Sequence, residues 1–377
     1  MQLATQFAHA GLQTDPQTGA ISTPIYQTAT FAHPAIGQST GFDYSRSANP
    51  TRLALEQAIA RAEGGSAAFA FASGLAALST LFSLFSQGDH LIVSEGCYGG
   101  TYRLLDQIFA RFGISVTYVP VYEAGAYAAA ITPQTKAILI ESVSNPCLQV
   151  PDFAALLALK QQHDLLLLVD NTFLTPYWFR PLEQGADVVI HSASKFIAGH
   201  NDTIAGLLAV REPELAARVG YLQNAIGATL GAQDAWLTMR GMKTLALRLA
   251  AQQANALAIA QFLQQQTGVR YVLFPGLPSD SQHQKIQQFS SGFGAVLSFA
   301  VTDTALVEQI ISRLQLISYA ESLGGVESLI TVPEIQTHAN LSVAERERLG
   351  VSDTLLRLSV GIEALDDLLA DLAQALA

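Results

Sequence analysis

The chain has 377 residues, half of them hydrophobic and only 14% charged, with a formal net charge of −11. That size allows more than one buried core, and the acidity, with no run of Lys and Arg to offset it, argues against nucleic acid as a partner. The two cysteines, Cys97 and Cys147, lie far apart without metal-ligand spacing, which argues against a disulfide scaffold or a metal site and suits a reducing cytoplasm.

The opening MQLATQFAHAGLQTD lacks the basic start and apolar core of a signal peptide. Residues 1–55 show little periodicity but several X-Pro pairs: Asp15-Pro16, Thr23-Pro24, His33-Pro34 and Asn49-Pro50. Such a segment predicts an extended arm that packs on something else, for instance another subunit. From Ser66 to Gln87 no residue is charged, which meets the length of a membrane span. Serines and Gly74 break the stretch and no Trp or Tyr flanks it, so the expectation is a helix buried in a soluble α/β domain, with no membrane contact.

Beyond it, five apolar runs read as short buried strands: HLIVSE after Asp89, SVTYVPV after Ile114, ILIESV after Ala137, LLLVD after Leu165 and VVIHS after Asp187. LLDQIFARF and FAALLALKQQ between them read as helices. This alternation predicts an α/β fold, a mostly parallel central sheet with helices on both faces. The long helix TLALRLAAQQANALAIAQFLQQQ leads out of it into a smaller C-terminal α/β domain containing the strands AVLSFAV and LRLSV. The expected division is an arm (1–55), a ligand-binding domain (56–244) and a C-terminal domain (245–377).

Two strand ends carry chemistry. One run ends in Asp170, and another leads into His191-Ser-Ala-Ser-Lys195; in parallel sheets ligands sit beyond the carboxyl ends of strands. Lys195 is one of five lysines, and taken alone it could equally be a solvated residue after a strand. Phe71-Ala-Ser-Gly-Leu75 opens a helix with small residues whose free N–H groups suit a phosphate, though a plain glycine turn reads the same way. Ser192 and Ser194 could donate hydroxyls to that phosphate. Tyr98, on a glycine-flanked loop, could stack on a planar ligand or be a surface tyrosine. Arg357 is a charge in an apolar strand, and a substrate carboxylate would match its fork. Gly292-Phe-Gly294 fails as a dinucleotide loop, because Leu297 holds the third glycine position and no helix follows. His191 reads as a packed, hydrogen-bonded residue.

Six motifs in order closely resemble the Cys/Met-metabolism enzymes, pyridoxal-phosphate proteins of fold type I. They are Tyr44-Ser-Arg46-Ser-Ala-Asn-Pro-Thr51, Ser73-Gly-Leu-Ala-Ala77, Tyr98-Gly-Gly-Thr101, Asp170-Asn-Thr-Phe173, His191-Ser-Ala-Ser-Lys195 and Ser322-Leu-Gly-Gly-Val-Glu-Ser-Leu329. The resemblance runs from about residue 5 to the carboxyl terminus. It implies that Lys195 carries pyridoxal phosphate as a Schiff base and shuttles protons, with Tyr98 as ring partner and second catalytic residue. It further implies that Asp170 pairs with the pyridine nitrogen, that Thr172 of the same motif joins the cofactor site, and that Gly74, Leu75, Ser192 and Ser194 hold the phosphate. Tyr44 and Arg46 resemble a pair that reaches the phosphate from a neighbouring subunit, in a homotetramer of two dimers with shared sites. Arg357, Asn145 and Ser322 are placed at the substrate α-carboxylate. Ser194 stands where the family often has Thr, and Asn201 where many members have Ser.

Asp43 and Glu321 resemble the acidic pair of the γ-enzymes, whereas well-known β-lyases carry aromatics nearby, including Trp at the position of Leu323. Arg103 resembles the arginine that faces the distal carboxylate of cystathionine-like substrates. The resemblance therefore implies an amino-acid substrate and favours γ-lyase chemistry, cystathionine to cysteine, 2-oxobutanoate and ammonia. γ-Synthase and β-lyase activities are the alternatives, and a non-enzymatic cofactor-binding protein is disfavoured because Lys195, Asp170 and Arg357 are all present.

Overall fold

A computed structural model describes residues 1–11, 14–339 and 342–377. The apolar runs form a seven-stranded sheet from β1 (Ala67–Phe71), β2 (His90–Ser94), β3 (Ser115–Val119), β4 (Thr135–Glu141), β5 (Leu166–Asp170), β6 (Val188–Ser192) and β7 (Gly206–Val210). Its spatial order is β1-β7-β6-β5-β4-β2-β3. The five strands from β3 to β6 are parallel, and β7 runs antiparallel to both its neighbours.

Both faces of this sheet are covered, which is why its strands are continuous apolar runs. Side chains alternate between two cores: Ile140, Val169 and Val189 enter one, and Leu139, Leu168 and Ile190 the other. By the same alternation the strand-terminal residues Glu141, Asp170 and Ser192 share the face of Leu139, Leu168 and Ile190. Three neighbouring strands thus deliver polar side chains to one edge of one core.

The uncharged stretch from Ser66 to Gln87 is not one helix. Its first part is β1, paired residue for residue with β7, and its second is the helix Gly74–Phe82. Ser73 divides them, its hydroxyl accepting from the Ala76 amide at 3.0 Å as an N-cap. The LLDQIFARF segment also departs from a regular α-helix. It passes from a short α-turn (Gly99–Tyr102) through a π-helical stretch (Arg103–Ile108) to a 3-10 turn (Phe109–Phe112).

The arm holds one short helix, Leu3–Ala8, and residue 55 falls within the helix Pro50–Glu63. Asn49 starts that helix by accepting from the amides of Thr51 and Arg52, with Pro50 at the first helical position. Thr51 ties the arm down, its hydroxyl accepting from Tyr26 N (2.9 Å) and donating to Pro24 O (2.8 Å). The arm nevertheless leaves Ile21, Ile25, Tyr26 and Ile36 exposed.

The helix Leu245–Leu263 leads to the second sheet, formed by β8 (Val269–Leu273), β9 (Val296–Val301), β10 (Ser318–Tyr319), β11 (Leu329–Thr331) and β12 (Leu355–Ser359). Its order is β10-β11-β12-β9-β8, antiparallel except at β10–β11. It packs with the helices Leu245–Leu263, Thr304–Arg313 and Leu365–Leu376 around a third core. Gly292 precedes β9, where a β-carbon would meet the Trp178 ring at 2.3 Å, so packing accounts for that glycine. Among the described residues no helix is long and apolar enough to cross a membrane.

Candidate active site

A cavity of about 660 Å³ opens beyond the carboxyl ends of β4, β5 and β6 and is closed on its far side by Arg357 of β12 and the segment before β11. It gathers Gly74, Leu75, Tyr98, Asn145, Asp170, Thr172, Ser192, Ser194, Lys195, Glu321, Ser322 and Arg357. Asp43, Tyr44, Arg46 and Arg103 do not line it in the single chain.

One end suits a phosphate. The helix Gly74–Phe82 points its amino terminus at the cavity, and the Ser73 cap takes the Ala76 amide while Gly74 and Leu75 lie on the wall. A β-carbon on Gly74 would come within 3.2 Å of the Ser192 β-carbon, so glycine lets the helix start reach the serine. The Ser194 hydroxyl is partly committed: it accepts from Ala205 N at 2.9 Å and lies 3.3 Å from Ala205 O.

Next to that end Asp170 Oδ1 accepts from the Thr172 amide (3.0 Å) and hydroxyl (2.5 Å), and Thr172 Oγ1 in turn accepts from Ser192 N at 2.9 Å. Thr172 therefore joins the acid to the phosphate end. Burial raises the Asp170 pKa, opposed by the Thr172 hydrogen bonds and by His191. A cationic ring nitrogen beside it would reverse that push and keep the carboxylate ionised. His191 itself is packed out of the cavity, its Nε2 2.6 Å from Glu63 Oε1 with both side chains buried.

The reactive wall is built from three residues. Lys195 Nζ donates to Ser322 Oγ at 2.9 Å. Burial, reinforced by Arg357 and opposed by Glu321, lowers the Lys195 pKa to about 8, which leaves roughly a tenth of the amine neutral at pH 7 against well under a thousandth for an ordinary lysine. Arg357, only 2% exposed, donates to Asn145 Oδ1 (3.1 Å), Ser322 O (2.6 Å) and Thr331 Oγ1 (3.0 Å). Its Nε has no partner, and among the described residues no carboxylate lies within ion-pair distance of it. A buried guanidinium held only by neutral groups, with a donor to spare, can receive a carboxylate.

The sequence reading missed Glu141. It ends β4 as Asp170 ends β5, the two being register partners, and both line the cavity. The strand-end rule that singled out Asp170 would have found it. Asn201, at a φ of 53°, donates through Nδ2 to Glu327 Oε2 at 2.8 Å and lines the cavity. Asn tolerates that left-handed backbone better than most residues, which gives the residue in place of Ser a local structural reason.

A profile of the "Cys/Met metabolism PLP-dependent enzyme" family matches residues 4–377. The chain belongs to that family. Cystathionine β-lyase of Lactococcus lactis subsp. cremoris is 48% identical over 374 residues, covering 99% of this chain and 98% of that enzyme. Cystathionine γ-synthase of Haemophilus influenzae is also 48% identical over 374 residues, covering 99% and 97%. A crystal structure of cystathionine γ-lyase from Lactobacillus plantarum complexed with L-serine matches with a TM-score of 0.97 at 48% identity, covering 100% of this chain and 98% of that one. This member of the Cys/Met-metabolism family is thus a pyridoxal-phosphate-dependent enzyme of the expected α/β fold. The cavity fits the cofactor: a helix amino terminus and serines for a phosphate, a buried acid for a ring nitrogen, and a lysine of depressed pKa for a carbonyl.

Proposed function

We propose that this enzyme is a cystathionine γ-lyase, releasing cysteine, 2-oxobutanoate and ammonia by α,γ-elimination. The observation that carries the reading is Glu321. Its carboxylate lines the cavity next to Ser322 and acts electrostatically on both Lys195 and Arg357, where it can attract the distal ammonium of cystathionine.

Bound pyridoxal phosphate supplies the electron sink that makes the substrate's Cα–H acidic. Lys195 would hold the cofactor and Asp170 would keep its ring nitrogen protonated. Gly74, Leu75, Ser192 and Ser194 would bind its phosphate, with Thr172 bracing Asp170. Arg357 and Asn145 would fix the α-carboxylate, leaving the amino acid's side chain to extend toward Glu321. Lys195 would be the base for the α-proton, and a γ-elimination would ask it also for a proton at Cβ. Its lowered pKa suits a group that must both take and return protons.

Tyr44 and Arg46 lie together outside the cavity, the guanidinium 5.2 Å from the ring centroid. With the exposed apolar arm, they support a dimer in which each arm completes the neighbour's phosphate site, two dimers forming a tetramer, with Asp43 carried on the same arm. Arg103, exposed in the π-helical stretch, is proposed to meet the distal carboxylate, and the cytoplasm is the proposed compartment.

Product analysis from cystathionine tests the reaction. Cysteine with 2-oxobutanoate supports it; homocysteine with pyruvate would make the enzyme a β-lyase. Formation of cystathionine from an activated homoserine and cysteine, faster than its cleavage, would make it a γ-synthase.

A further inference from the structure

The cavity contains a carboxylate to which the foregoing chemistry gives no task. Glu141 ends β4 beside Asp170, on the same face of the sheet, yet it makes no ion pair among the described residues. Its Oε1 instead accepts from the backbone amide of Tyr98 at 2.7 Å, and the amide of Asn145 also acts on it. Two acids side by side at one strand edge repel one another, so the second needs a reason to be there.

Tyr98 supplies one. Its ring is half exposed, on a loop that leaves β2 and turns into the short helix Gly99–Tyr102. The ring lies against Gly100, where a β-carbon would meet it at 2.4 Å. Packing on that side leaves half of the ring exposed, and the loop is also tied by hydrogen bonds: Gly96 N to Tyr102 Oη at 3.0 Å, and Tyr98 N to Glu141. The second tie runs directly to the central sheet, one strand from Asp170.

We propose that Glu141 is a positioning residue of the cofactor site, its side chain pinning the Tyr98 amide to the end of β4 and so fixing the Tyr98 ring relative to Asp170. Its task is to accept a hydrogen bond, which an uncharged oxygen does equally well. Burial, followed by the charge of Asp170, pushes its pKa up, in keeping with that task. The role rests on the family's cofactor and is independent of whether the enzyme eliminates at β or γ.

The test titrates wild type, Glu141→Gln and Glu141→Ala, each freed of cofactor, with pyridoxal phosphate. It reads the dissociation constant, the visible circular dichroism per bound cofactor, and KM and kcat for cystathionine. Glu141→Ala is expected to bind cofactor about tenfold more weakly, an effect the size of one ordinary hydrogen bond. Its visible dichroism should fall because the ring is no longer held in one setting, with KM raised more than kcat is lowered. Glu141→Gln keeps an acceptor for the Tyr98 amide and should stay within about twofold of wild type in the dissociation constant and dichroism. Should Glu141→Ala lose its cooperative melt, Glu141→Leu, which keeps volume without an acceptor, takes its place with the same expectation. Wild-type affinity and dichroism in the variant without an acceptor would overturn the proposal. So would a Gln variant as impaired as that one, since the charge and not the acceptor would then matter.

Discussion

Ser322 holds the Lys195 amine through its hydroxyl at 2.9 Å, and it does so from a backbone φ of 94°. That value lies where a side chain is costly and glycine is at ease. The Ser322 carbonyl meanwhile accepts from Arg357 at 2.6 Å. One strained residue therefore joins Lys195 to Arg357, and strain of this kind is kept where a site needs its geometry fixed.

Replacement of Ser322 separates the two contributions. Ser322→Ala keeps the strain and loses the hydroxyl, while Ser322→Gly loses both. Each is expected to lower kcat by about tenfold, roughly the value of one hydrogen bond to a charged group, with cofactor still bound at Lys195. The glycine variant should melt higher than the alanine variant, by about 1 kcal/mol of stability. Equal melting of the two, with kcat unchanged, would show that neither strain nor hydroxyl matters.

The Lys195 pKa of about 8 sets a pH dependence for cofactor capture by the apoenzyme. Only the neutral amine reacts, so the rate should rise about tenfold per pH unit below 8 and level off above it. A lysine at its ordinary value of 10.5 would keep rising to pH 10. The folded pKa lies below the unfolded one, so the unfolded chain binds more protons between 8 and 10.5, and the apoenzyme should gain stability as pH rises through that window. Arg357→Met removes a like charge and should move the midpoint upward, by less than the full shift because burial is the larger cause. Stopped-flow absorbance across pH 6–10, with thermal melts of the apoenzyme, checks both signs.

The parallel sheet and the lysine and acid at its strand ends were legible because buried parallel strands are continuous apolar runs that stop where the ligand begins. Asp170 stood out as the first polar residue after such a run, and Ser192 as the first hydroxyl after another, one place beyond His191. Glu141 satisfies the same rule, but the pattern runs on through Ser142 to the apolar Val143, which hides the strand end there. β1 and β7 were harder: AAFAF follows Gly64-Gly65-Ser66 and merges with the apolar helix after it, and GLLAV is a short apolar run that opens on a glycine. The π-helical stretch at Arg103–Ile108 leaves the side-chain period nearly helical and has no sequence signal of its own. The roles of Tyr44 and Arg46 came through resemblance alone, as one chain does not bring them to the cavity.

Sharing of sites between subunits predicts complementation. Arg46→Ala and Lys195→Ala homodimers should each be inactive or nearly so. A hybrid dimer of the two carries one site with both residues intact, so random mixing, which makes half of all dimers hybrid, should restore about a quarter of wild-type activity. The measurement is activity after co-refolding differently tagged chains, with hybrids confirmed by tandem purification. Confirmed hybrids without recovered activity would place both residues in one chain's site. In Lys195→Ala alone, cofactor should still bind but be removed by dialysis, and borohydride should fix none of it at residue 195.

Glu321 bears on the choice between β and γ chemistry. It lies at the exposed rim of the cavity, beside Ser322, and favours the charged forms of both Lys195 and Arg357. A carboxylate there can orient the distal ammonium of cystathionine, which aligns the Cγ–S bond for departure once Lys195 has taken a proton from Cβ. The alternative is a purely electrostatic role, tuning Lys195 and Arg357 without touching substrate. The two differ in what the variants do to products. If Glu321 orients substrate, Glu321→Ala should change the ratio of 2-oxobutanoate to pyruvate by roughly tenfold, equivalent to about 1.4 kcal/mol in relative barrier. Glu321→Gln keeps the shape and a polar contact and should shift the ratio less. If it only tunes charge, both variants should lower the Lys195 pKa further, because Glu321 raises it, and move the pH profile to the acid side while the product ratio stays fixed. Quantifying both keto acids for the three proteins across pH 6–10 distinguishes these outcomes. An unchanged ratio would leave Glu321 an electrostatic residue and withdraw from the γ-lyase reading the observation that carries it.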